Sequence, residues 1–135
     1  MPIDNPFVGT WLYRSLLNGT DPSTPFNDLE FAVATLVIQD DDGVVGGTIG
    51  GSGWSLNLRG SFGFGSPMQI RFQGVGTSGD VPWVYDYIGW LAPPWPNSTA
   101  AQDASVISGS VVRTIAHGAG NPAGDTATFY AVKLS

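Results

Sequence analysis

Apolar and polar residues alternate with a period of two in eight stretches of this chain, the mark of strands with one face turned to a core. Phe7 to Ser15 sets Trp11 and Tyr13 on one face against Thr10, Leu12 and Arg14 on the other. Glu30 to Gln39 places Phe31, Val33, Thr35 and Val37 opposite Ala32, Ala34, Leu36 and Ile38, so both faces of this second strand are expected to be buried. The third strand is Val44 to Ile49. The fourth, Trp54 to Ser61, turns Trp54, Leu56 and Leu58 inward and Ser55, Asn57 and Arg59 outward. The fifth, Met68 to Val75, opposes Met68, Ile70 and Phe72 to Gln69, Arg71 and Gln73. The sixth runs from Trp83 to Trp90, the seventh from Ala104 to Thr114 and the eighth from Thr126 to Leu134.

Between them lie turn residues. Asp40-Asp41-Asp42-Gly43 predicts a hairpin with Gly43 at positive φ, and residues 16–29 form a long loop. Three prolines stiffen Ala92 to Ser98, and Trp95 among them is expected to rest on a barrel rim or another subunit. An open meander of eight strands leaves two unpaired edges, and closure removes them. The expected fold is all-β, an eight-stranded antiparallel up-and-down barrel in one domain, 1–135.

Composition sharpens this picture. Charged residues make up 12% of the 135, with Glu30 the sole glutamate and Lys133 the sole lysine. Helical proteins spend many Glu and Lys on exposed faces, so the shortage agrees with strands. It also predicts that some surface is covered in a homo-oligomer. A net charge of −6 argues against nucleic acid and anionic membranes as partners, since both need a basic footprint. No cysteine is present, which excludes disulfides and thiol chemistry. No run approaches a membrane span, and the expected location is cytoplasmic.

Phe7-Val8-Gly9-Thr10-Trp11 opens the first strand with Gly-x-Trp. This resembles the entry signature of the calycin barrels, which include avidins, lipocalins and fatty-acid-binding proteins; Gly-Thr-Trp is the avidin form. The resemblance implies a streptavidin-like barrel whose tryptophan packs across the closed end beneath a basic residue from the last strand. Lys133 stands where that partner would be, and cation–π attraction supplies a reason for it. The avidin pattern holds biotin with an asparagine two residues after the tryptophan. Here that position is Tyr13, so biotin is not the expected ligand.

The stretch Trp83-Val84-Tyr85-Asp86-Tyr87-Ile88-Gly89-Trp90 carries the most chemistry. Trp83, Tyr85 and Tyr87 share one face, and Asp86 lies on the other. Aromatic rings with polar ends suit the wall of a small-molecule site. The expected ligand-binding wall is Trp54, Phe72, Trp83, Tyr85 and Tyr87, around a small apolar or aromatic molecule. In the alternative reading the barrel is a cofactor-free cyclase or isomerase of an unsaturated apolar substrate, with Asp86 or a tyrosine as acid/base and Arg71 or Arg113 steadying negative charge. In a third reading the aromatics fill a solid core and the domain serves assembly. An arginine turned inward among Arg14, Arg59, Arg71 and Arg113 would anchor an anion. A metal site is not expected from one histidine and scattered carboxylates, and no cofactor is expected. His117 sits in a glycine-rich turn, without the Gly-x-Ser-x-Gly elbow of a serine hydrolase.

Overall fold

The structure is a computed structural model that describes residues 5–92, 97 and 104–135. The proline segment with Trp95 lies outside the described residues, Ala92 and Asn97 excepted. Eight strands close into a barrel: β1 (Gly9–Leu17), β2 (Glu30–Asp41), β3 (Val44–Gly51), β4 (Trp54–Gly63), β5 (Gln69–Ser78), β6 (Val81–Leu91), β7 (Val106–Arg113) and β8 (Thr126–Lys133). Each strand pairs antiparallel with its neighbours in sequence, and β8 pairs with β1. Closure leaves no strand of the sheet with an unpaired edge.

The register carries one inner face around the barrel. Trp11 lies opposite Leu36, Leu36 opposite Ile49, and Ile49 opposite Leu56. All four are buried, with Phe7, Ile38, Ile70, Ile107 and Phe129. Burying a side chain of this size contributes roughly 1.5–3 kcal/mol. The expected burial of both β2 faces is not found: Val33 is 55% exposed and Thr35 is exposed too. A barrel wall one sheet thick has a single inside. The β-branched residues on the outer face of β2 therefore serve strand propensity rather than burial. β1 runs two residues into the expected 16–29 loop, and the rest of that loop contains a short 3-10 turn, Phe26–Leu29, with no buried residue.

Glycine lets the wall curve where strands crowd. A Cβ on Gly60 would stand 1.9 Å from the carbonyl oxygen of Arg71. In the hairpin between β2 and β3, Gly43 has φ 89°, and its N–H donates to Asp40 Oδ1 at 2.7 Å.

The barrel has two unlike ends. One is plugged by Phe7, whose ring stacks on Phe62, and by Trp11, whose Nε1–H donates to the Phe7 carbonyl at 2.9 Å. The Lys133 ammonium stands 5.7 Å from the Trp11 ring centre and donates to the Pro6 carbonyl. The Gly-Thr-Trp motif has a local cause here. Thr10 pairs with Ser135 and Leu134 of the returning chain. A Cβ on Gly9, at φ 147°, would lie 2.3 Å from the Ser135 carbonyl oxygen. The opposite end is formed by the β1–β2, β3–β4, β5–β6 and β7–β8 connections and stays open.

Candidate functional site

A cavity of about 400 Å³ occupies the open end. β6 supplies its main wall, because period two turns Trp83, Tyr85 and Tyr87 inward together. Tyr13 comes from β1, Phe31 from the start of β2, Trp54 from the start of β4, and Arg113 from the end of β7. His117 and Asn121 reach in from the β7–β8 loop. The two tryptophans lean on one another with ring centres 6.0 Å apart. Gly50 and Gly51, which extend β3 past its expected end, make room for Trp54. A Cβ on Gly51 would sit 2.7 Å from the Trp54 indole nitrogen.

Beneath this wall the rings form a packed floor. Phe72 stacks on Tyr87 at 4.7 Å, and Tyr13 meets Tyr87 edge-on at 6.1 Å and Phe129 at 5.1 Å. Phe72 is thus part of the support under Tyr87 and not of the lining. Burial pushes the hydroxyls of Tyr13 and Tyr87 well above the ordinary tyrosine range, so both stay protonated and neutral. Ser15, the next inward residue on β1, has a buried hydroxyl with no hydrogen-bond partner among the described residues.

A polar chain crosses the upper wall. The Arg113 Nε–H donates to the Tyr85 hydroxyl oxygen at 3.0 Å. That oxygen lies 2.7 Å from His117 Nε2. The guanidinium only donates, so Tyr85 accepts from Arg113, and the imidazole tautomer sets which of Tyr85 and His117 donates in the second bond. His117 is held below the usual histidine value, first by burial and second by the Arg113 charge. Its ring stacks on Trp83 at 4.3 Å and an interplanar angle of 14°. Arg113 Nη1 also donates to Asp125 Oδ2 at 2.8 Å and to the Pro122 carbonyl at 3.3 Å. Its guanidinium carbon lies 5.1 Å from the centre of the Phe31 ring.

The sequence-derived candidates divide between inside and outside. Trp54, Trp83, Tyr85, Tyr87 and Arg113 border the cavity. Asp86 and Arg71 lie on the outer wall, where they border an open groove of about 360 Å³. Asp86 accepts from Gln73 Nε2 at 3.1 Å and from the Thr114 hydroxyl. The cause is register: Asp86 pairs with Gln73 and Ile88 with Arg71, so the polar face of β5 draws Asp86 outward. An Asp86–Arg113 arrangement across the cavity therefore does not form. Tyr13, Phe31 and His117 also line the cavity, and no sequence motif marks them. Tyr13 shares the Trp11 face and was within reach of parity; His117 lies in an aperiodic loop.

Among the described residues no group of three His, Asp or Glu side chains could hold a metal ion. Comparison with known protein families, curated proteins and solved structures finds no match.

Proposed function

We propose that the barrel is a binding protein for one small, mainly aromatic molecule, held in the open end. The observation that carries this reading is the cavity itself. Its wall pairs large ring faces from Trp54, Trp83 and Tyr87 with one polar row, Arg113, Tyr85 and His117. Broad apolar contact plus a few placed polar groups is the usual make-up of a ligand site, and the volume lies within the range of such sites. A closed end sealed by Phe7 and Trp11 fits a cup with one entrance, as in calycin barrels. An open cavity of this size favours the ligand reading over the solid-core reading.

The test is native mass spectrometry of the purified protein beside the same sample denatured. A small mass released on denaturation supports the proposal and gives the ligand and subunit count together. If the protein stays bare after incubation with a library of aromatic compounds, the proposal fails. The homo-oligomer remains part of the proposal, supported by exposed Leu12, Val33 and Tyr130 on the β8–β1–β2 wall and Phe26 in the adjoining loop.

A second reading has one specific observation behind it. The Arg113–Tyr85–His117 chain could move a proton, with Arg113 steadying a Tyr85 phenolate and His117 Nε2 receiving its proton. This would serve an isomerase without a cofactor, with Tyr85 and His117 in the acid/base role that the sequence offered to Asp86 or a tyrosine.

A further inference from the structure

The charge inventory of the cavity sets the ligand class, an inference that rests on the binding reading above. The lining holds two residues that are charged at neutral pH, Arg113 and Glu30. Arg113 is compensated by Asp125 at 2.8 Å. Its hydrogen-bonding edges are also committed. A carboxylate is gripped two-handed either through Nε and Nη2 or through Nη1 and Nη2. Nε is taken by Tyr85, and Nη1 by Asp125 and Pro122. Neither edge can present two donors to an anion. Glu30 is exposed at the rim and adds negative charge along the way in.

A cation fares no better, although ring faces and an acidic rim suit cations elsewhere. Here the guanidinium of Arg113 already occupies that role, 5.1 Å from the Phe31 ring centre and 5.7 Å from that of Tyr85. A second positive group would stand beside it. The other polar groups include the neutral hydroxyls of Tyr13, Tyr87 and Ser52, the amide of Asn121 and the imidazole of His117.

We infer that the cavity takes an uncharged, flat aromatic molecule bearing a hydroxyl or carbonyl group, and excludes carboxylate and ammonium analogues of the same size. The rings stack among Trp54, Trp83 and Tyr87, and the polar group meets the tyrosine hydroxyls, which both donate and accept. On this reading Arg113, although inward, is not a two-handed anion anchor, because its Nε and Nη1 already have partners.

Three probes separate the possibilities by isothermal titration calorimetry at neutral pH: 2-naphthol, 2-naphthoate and the trimethyl-2-naphthylammonium ion. The expected result is that 2-naphthol binds at least about tenfold tighter than either charged probe, because a carboxylate entering this cavity loses water without gaining a two-handed partner and an ammonium group would stand beside the Arg113 guanidinium. Asp125→Asn removes the compensating carboxylate, and it should narrow the gap between 2-naphthoate and 2-naphthol severalfold. Equal or tighter binding of either charged probe overturns the neutral-ligand inference and leaves the binding reading standing. Failure of all three probes to bind counts against both.

Discussion

Replacing Tyr85 with phenylalanine removes one oxygen and keeps the ring, so it isolates the polar chain of the upper wall. The oxygen accepts from Arg113 Nε at 3.0 Å and is 2.7 Å from His117 Nε2. A hydrogen bond to a charged group contributes about 1.5–3 kcal/mol and a neutral one about 0.5–1.5. Their sum is an upper bound of roughly 4.5 kcal/mol. Arg113 and His117 both border the cavity, so water there can take over part of the lost bonding. Arg113 also keeps Asp125 and Pro122. The expected net loss is about 2 kcal/mol. Urea unfolding followed by far-ultraviolet circular dichroism measures it, as a lower midpoint with an unchanged slope. Tyr130→Phe is the internal comparison. That hydroxyl accepts from Arg14 at 3.3 Å on the exposed outer wall, and its loss should cost less than about 0.5 kcal/mol. Equal losses for the two variants would refute the claim that the Tyr85 chain is an internal, coupled element.

The remaining predictions concern pH and packing. His117 has its folded-state value lowered below 6.5, so the unfolded chain takes up its proton first as pH falls. Its stabilising contribution is fully present above pH 6.5 and is lost as pH drops below that value toward the depressed one. Midpoints measured at intervals between about pH 5 and 7 should fall with acid. His117→Gln should flatten that slope, and an identical slope in the variant would count against the assignment. Gly60→Ala should destabilise by about 3 kcal/mol or prevent folding, since the added carbon would meet the Arg71 carbonyl at 1.9 Å. Thermal melting within a degree of the parent would show that the wall yields there.

The barrel was legible because its cause is repetitive. Alternation along each strand carries Trp11, Leu56, Ile70 and Phe129 inward without knowledge of any partner strand. The Gly-Thr-Trp opening carried the closed end, including Lys133 over Trp11, because both are tied to the ends of neighbouring strands. On β6, parity alone left open which face was inner. The deciding information sat on β5, whose Arg71 and Gln73 pair with Ile88 and Asp86 and hold that face outside. The polar chain was not legible. His117 enters the cavity because the β7–β8 loop folds back, with its N–H donating to the Asn121 carbonyl at 3.0 Å. No spacing rule encodes such a return.

The most direct test of the binding account is proton–nitrogen correlation NMR of the indole N–H groups during titration with 2-naphthol. The account predicts that the Trp54 and Trp83 resonances shift and saturate together, while Trp11, bonded to the Phe7 carbonyl under the closed end, stays in place. A saturating shift at Trp11 with Trp54 and Trp83 unmoved would contradict it, as would a titration in which none of the three responds.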